Sequence, residues 1–199
     1  MNSIIVIFTI LFSFLFGAIP TGYLLVKKYC GIDIRTKGSG NIGSTNVKRV
    51  AGSKISAITQ GFDIAKGFVP VAFAIYIASI IKLPIEKNTF FSMVAIAAVI
   101  GHNYTPFLGF NGGKGVNTTM GAFILIAPIP TILGIVMHFF LRIFTPIVSI
   151  RSVALGLTIP IACTIMNFPK SIVVSAIASA IIMIIRHKEN LIRLIQGKE

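Results

Sequence analysis

Seven apolar runs follow one another along the chain, over residues 4–26, 55–81, 89–108, 117–127, 131–145, 152–167 and 171–185. Crossing the hydrocarbon core of a bilayer takes about 20 apolar residues in a helix. A succession of such runs therefore predicts an all-α integral membrane protein. The apolar share of 55% and mean hydropathy of +0.91 lie above the range of a soluble domain, where the apolar share is about 45–50%. The whole chain, 1–199, reads as a single multi-pass membrane domain with about seven transmembrane helices. Pro128 and Pro130 divide what would otherwise be one long segment, because neither can donate to the helical ladder. The stretch "NFPK" (Asn167 to Lys170) separates the last two runs. A five-span arrangement, with 117–145 as one span and 152–167 re-entrant, is the second choice.

Charge sets the expected orientation. No Lys or Arg precedes Lys27, so Met1 to Val26 lacks the basic start of a cleaved signal peptide and reads as a first span with its N-terminus outside. With seven crossings, fifteen of the 18 Lys and Arg residues fall on the inner side, and only Lys82, Lys87 and Lys170 fall outside. That asymmetry follows the positive-inside rule and places the C-terminus in the cytoplasm. The net charge of +13 is assigned to helix ends facing anionic lipid or an anionic substrate, and no nucleic-acid partner is expected. Cys30 and Cys163 form no CxxC pair, so neither a disulfide nor a zinc site is expected.

In this topology the polar clusters share the cytoplasmic face. They are "GSGNIGSTNVKR" (Gly38 to Arg49), "GFNGGKGVNTT" (Gly109 to Thr119), "SIRS" (Ser149 to Ser152) and "RHKEN" (Arg186 to Asn190). A single site open to one compartment suits a membrane enzyme, whereas transporters keep their sites near the midplane.

The glycine loop predicts an anion nest. Gly112, Gly113 and Gly115 permit close backbone approach, Lys114 supplies a point charge, and Asn117, Thr118 and Thr119 open the next helix. It is not a Walker A loop, since Leu108 stands where Gly is required and Gly115 follows the lysine. The first cluster repeats the chemistry with Ser39, Asn41, Ser44, Thr45, Asn46 and Arg49. Two basic, hydroxyl-rich loops on one face suggest two phosphates, or one held from both sides. At the end of the last span, His187 and Asn190 are three residues apart and are expected to share a helix face. Arg186 and Lys188 read as interfacial anchors. His102 is placed near the site as a support for the loop or a substrate contact. Asp63 and Lys66 are spaced as a local ion pair, and Glu189 reads as structural. No HExxH, GxSxG or His-x4-Asp pattern occurs, and the five carboxylates are too few to hold magnesium well.

Together, "GSGNIGSTNVKR", "DIAKGFVPV", "GHNYTPFLGFNGGKGV" and "RHKENLIRLIQGKE" resemble, in order and over essentially the whole chain, the acyl-phosphate:glycerol-3-phosphate acyltransferase family, the bacterial PlsY proteins. The resemblance implies a multi-pass enzyme of the bacterial inner membrane with its active site facing the cytoplasm. Its reaction moves a fatty acyl group from acyl phosphate to the sn-1 hydroxyl of glycerol 3-phosphate, giving 1-acyl-glycerol 3-phosphate and phosphate, the first step of phospholipid synthesis. No metal or cofactor is implied. The partners are the two substrates, the lipid bilayer and transient contact with the enzyme that makes the acyl phosphate. The family's motifs map onto Ser39 and Arg49, onto the loop Gly112, Gly113, Lys114 and Gly115 for glycerol 3-phosphate, and onto His187, Asn190 and the structural Glu189. Ser152 corresponds to a serine usually found in a "VSLxS" run, here "VSIRS" with Arg151 as a departure. His187 and Asn190 are the candidate catalytic pair, with the substrate's own phosphate as a rival base. The reading from a different class is a membrane transporter or binding protein for an organophosphate.

Overall fold

The computed structural model describes residues 2–197 and, among them, helices but no strand. The helices are α1 (Asn2–Ala18), α2 (Thr21–Cys30), α3 (Ser44–Ile80), α4 (Lys87–Asn103), α5 (Val116–Phe123), α6 (Pro128–Leu141), α7 (Val148–Ile165), α8 (Lys170–Arg186) and α9 (Lys188–Ile195). Single 3-10 turns stand at Ile34–Thr36 and Pro106–Leu108.

Four stretches are long and apolar enough to cross a membrane: Asn2–Cys30, Ser44–Ile80, Lys87–Leu108 and Val148–Ile165. A fifth is α8 with α9, bent by 54° at His187. By length and composition the described residues thus give four or five candidate spans against the seven expected, and the difference lies mainly between residues 116 and 141. There α5 has 8 residues and α6 has 14, about 12 Å and 21 Å of helix, each short of the roughly 30 Å hydrocarbon core. Residue 117–145 is not one span either, because Ala127 leaves helical geometry before the two prolines of α6. Residues 152–165 belong to the 18-residue α7, which is itself a candidate span.

Small residues bring the helices together where lipid offers no hydrophobic drive for association. Helix α1 lies parallel to α4: Ser13 Oγ donates to Val94 O at 2.7 Å and Thr105 Oγ1 donates to Ala18 O at 2.6 Å. Along that seam a methyl group at Gly17 would lie 2.3 Å from Ala98 O, and one at Gly101 would lie 2.1 Å from Phe14 O. Gly67 and Gly121 mark an equally close crossing of α3 and α5, where a methyl at Gly121 would sit 1.9 Å from Ile64 O. Gly156 on α7 faces Met183 on α8. The apolar core runs through Val71, Phe90, Val94, Phe123, Leu155 and Ile159.

Chain direction then separates the two ends of the bundle. Asn2 Nδ2 donates to Lys82 O at 2.8 Å, so the start of α1 and the α3–α4 turn share one end. The parallel course of α1 and α4 carries residues 31–43 and 104–115 to the other. Gly52, at φ 82°, breaks α3 and turns its first two helical turns back toward the body, where Ser56 Oγ donates to Ser44 O at 2.8 Å.

This packing predicts opposite effects for two glycines. Gly101→Ala should lower the thermal midpoint of the detergent-solubilised protein, because overpacking costs about 1–3 kcal/mol. Gly61→Ala, in α3 with open space around it, should keep or raise the midpoint, since Ala is favoured over Gly in a helix by about 1 kcal/mol. Equal shifts of one sign would contradict the close α1–α4 seam.

Candidate functional site

At the end of the bundle holding residues 31–43 and 104–115, three segments far apart in sequence enclose a cleft of about 580 Å³. The first contributes Asp33, Arg35, Thr36, Ser39, Gly40 and Asn41. The second contributes Tyr104, Asn111, Gly112 and Lys114, and the third Ile185, Arg186, Lys188, Glu189, Asn190 and Arg193. Five basic and two acidic side chains line it, and a concave, predominantly positive cleft concentrates anionic ligands.

The glycine loop is built differently from a phosphate nest. Gly112 N–H donates to Asn103 O at 3.2 Å and Gly113 N–H donates to His102 O at 3.0 Å. These two amides therefore dock the loop on the end of α4, so Gly112 and Gly113 do not contribute their N–H groups to the nest expected from the sequence. The need for glycine also comes from within. A methyl at Gly112 would lie 2.0 Å from His102 O, one at Gly113 would lie 2.1 Å from His102 Nε2, and one at Gly115 would lie 2.9 Å from the Asn103 side chain. Gly115 additionally holds φ 79° as the residue before α5, a left-handed conformation that L side chains avoid.

Arg186 completes the loop. Its Nε donates to Gly113 O at 3.1 Å and its Nη2 donates to Gly112 O at 2.8 Å, while the guanidinium stands over the Tyr104 ring at 5.4 Å. The expected interfacial anchor is in fact turned inward, and only a planar fork can serve two adjacent carbonyls in this way. Lys114 Nζ donates to Asn190 Oδ1. That contact ties the second segment to the third and leaves the amide NH2 as the donor end of Asn190.

The first segment is organised by Asn46. Its Nδ2 donates to Lys37 O and Asn41 O, and its Oδ1 accepts from Ser39 N–H at 3.0 Å. Asn46 is therefore occupied in shaping the loop that presents Ser39 and Asn41, and it does not itself reach the cleft. Thr45 and Arg49 are exposed on the helical turn beyond and do not line it either. At the rim, the Arg35 guanidinium grips Asp33 (Nη2 to Oδ2 2.6 Å) and stacks on Tyr23 at 5.1 Å. The hydrogen bonds from Arg35 hold the Asp33 carboxyl down at about 2, against its ordinary 3.8. Because the folded value is depressed, this contribution is full above 3.8 and is lost only as pH falls through about 2.

Helix α8 ends at Arg186, and His187 stands at the 54° bend as the residue that opens α9, three positions before Asn190. Asn190 lines the cleft, whereas His187 is buried, with Nδ1 2.8 Å from Met183 O. Ser152 is also buried, on the α7 turn next to Gly156, and lies outside the cleft lining. Glu189 lines the cleft. Lys66 pairs with Asp63 at 2.7 Å as its spacing suggested, and His102 lies directly under Gly113. Sequence reasoning missed Arg186, Tyr104, Asn111, Arg193 and the Asp33–Arg35 pair. Arg186 and Asn111 stand inside the polar clusters quoted above and Tyr104 beside the loop, whereas the Asp33–Arg35 pair lies outside those clusters.

Comparison with known proteins agrees over nearly the full length. A family profile described as "Glycerol-3-phosphate acyltransferase" matches residues 7–197. A protein of Clostridium acetobutylicum named glycerol-3-phosphate acyltransferase is 61% identical over 196 residues, covering 98% of this chain and 99% of its own. One of Lawsonia intracellularis with the same name is 40% identical, covering 96% and 92%. Among solved structures, PlsY (YgiH), described as an integral membrane glycerol 3-phosphate acyltransferase, superposes in its glycerol 3-phosphate form with a TM-score of 0.88 at 30% identity, covering 98% of this chain and 94% of that one. Its lysophosphatidic acid form gives a TM-score of 0.86. With its overall structure and its sequence relatives in agreement, the chain belongs to the glycerol-3-phosphate acyltransferase family.

Proposed function

We propose that this membrane protein transfers a fatty acyl group from acyl phosphate to the sn-1 hydroxyl of glycerol 3-phosphate, in a cleft open to the cytoplasm of a bacterial cell. The observation that carries the reading is the cleft itself, where Arg35, Lys114, Lys188 and Arg193 surround Ser39, Asn41 and Asn190. Two phosphate-bearing substrates repel each other, and a cluster of fixed cations offsets that repulsion. Arg35, Lys114, Arg186, Lys188 and Arg193 line the cleft while Lys82 lies at the opposite end of the bundle, a basic bias that supports the cytoplasmic sidedness.

Acyl phosphate is an activated mixed anhydride, so no covalent enzyme intermediate is required. The sn-1 oxygen attacks the acyl carbonyl carbon, and the carbon–oxygen bond to phosphate breaks. The hydroxyl proton leaves with the phosphate, so that ester and hydrogen phosphate are formed. Holding the two reactants in contact supplies much of the acceleration. Asn190, oriented by Lys114, directs its NH2 toward the oxygen on which charge develops. Lys114, the loop behind it and Ser39 hold the acceptor phosphate, and Asn41 supports the same wall. His187 donates Nδ1–H to Met183 O and is buried outside the cleft lining. That burial favours phosphate as the proton acceptor. Phosphate suits that role, since its second pKa is about 6. Thr45, Arg49 and Ser152, which lie off the cleft, serve as its supports or as contacts made when the longer acyl substrate is bound.

Purified protein in detergent should form 1-acyl-glycerol 3-phosphate from palmitoyl phosphate and glycerol 3-phosphate, with one phosphate released per ester. Phosphate release that is independent of glycerol 3-phosphate, or transport of it across vesicles without ester formation, would contradict the proposal.

The base can be identified from pH profiles. With phosphate as proton acceptor, the acidic limb of kcat/KM should persist in His187→Ala, and His187→Asn should retain much of the activity through a hydrogen bond. If His187 is the base instead, kcat falls by roughly 10²–10⁴ in both variants and the limb disappears.

A further inference from the structure

Beneath the glycine loop lies a buried polar cluster that the reaction proposed above does not use. Asp63 and Lys66 are each 3% exposed and His102 is 5% exposed. Asp63 Oδ1 accepts from Lys66 Nζ at 2.7 Å and from Thr21 Oγ1 at 3.0 Å. His102 Nδ1 stands 3.8 Å from that same oxygen, too far for a hydrogen bond, and has no other hydrogen-bond partner. The opposite edge of the ring meets the loop, since a methyl at Gly113 would lie 2.1 Å from Nε2. The imidazole is thus wedged between a carboxylate held from α2 and α3 and the backbone that carries Lys114.

Ionised groups in apolar surroundings are costly, and the close Asp63–Lys66 pairing offsets part of that cost. An apolar side chain could fill the same space. The polar cluster adds registration, because its hydrogen bonds fix the Asp63 carboxylate relative to α2 and α3, and the ring on α4 rests on that carboxylate. We infer that His102, seated on the Asp63–Lys66 pair, is a positioning residue that sets the height of Gly113, and with it Lys114, at the cleft without touching substrate. The glycine at position 113 is then required by the ring below it and not by a ligand above it. The inference rests on reading the cleft as the glycerol 3-phosphate site.

The test is a kinetic cycle on the detergent-purified protein with His102→Ala, Gly113→Ala and the double variant. Gly113→Ala should raise KM for glycerol 3-phosphate by roughly 10- to 100-fold with kcat little changed, the scale expected for a displacement near 1 Å. His102→Ala should also raise KM. The double variant should recover part of the loss in Gly113→Ala, because the added methyl enters the space the ring leaves. Fold-changes that simply multiply would overturn the inference and return the blame to a methyl facing substrate. A second arm removes the seat while keeping the interior neutral: Asp63→Asn combined with Lys66→Met should raise KM and spare kcat. An unchanged KM there would likewise overturn it. The melting midpoint separates this inference from the proposed reaction. Gly113→Ala should lower it and added His102→Ala should restore part, even in a protein that fails to acylate glycerol 3-phosphate.

Discussion

The architecture of the cleft depends on one guanidinium. Arg186 is the last residue of α8, and its two parallel hydrogen bonds reach the carbonyls of Gly112 and Gly113. The N–H groups of the same two residues are spent on the end of α4. A glycine-rich segment loses much conformational freedom on ordering, and here every backbone group of the pair is accounted for on both sides. Hydrogen bonds to a charged partner contribute about 1.5–3 kcal/mol each, enough to hold such a segment against α4. With the loop fixed, Lys114 meets Asn190 across the bend, and the first and third segments close the remaining walls.

That arrangement requires helices that approach closely and in fixed register. Gly17, Gly101, Gly67 and Gly121 provide the approach, each with a neighbouring backbone atom where a side chain would begin. Ser13 and Thr105 provide register through bonds to carbonyls on the facing helix. The broken pair α5 and α6 is tolerable at membrane depth because its breaks are buried in protein, with Phe123 and Ala127 fully enclosed. Thr118 Oγ1 donating to Asp63 O ties the start of α5 to α3.

The helical class and the three polar segments were legible because each has a local cause. Apolar runs of span length have few alternatives in lipid, and glycine-rich, basic, hydroxyl-bearing stretches stand out against Ile, Val and Phe. The number of spans was not legible in the same way. Hydropathy reports that residues 117–145 are apolar but not that α5 stops after 8 residues, since both a span and a buried short helix are apolar. The 54° bend at His187 was not legible either, because no proline or glycine announces it. Arg186 was read as an anchor because a basic residue in a last helical turn serves that role in most chains, and only the position of the loop shows its partner. The inward cause of Gly113 was hidden for a related reason: the His102 ring is 11 positions away in sequence and meets it only once the loop has folded back on α4.

The Arg186 fork fixes the loop that carries Lys114, the residue proposed above to receive the acceptor phosphate. Calorimetric titration of glycerol 3-phosphate into the purified protein and into Arg186→Lys, at matched ionic strength and without acyl donor, tests this most directly. Lysine keeps the charge but lacks the planar fork whose parallel N–H groups reach both carbonyls. The wild type should bind, and Arg186→Lys should bind at least about tenfold more weakly, a loss of roughly 1.4 kcal/mol. Equal affinity in the two proteins would contradict it.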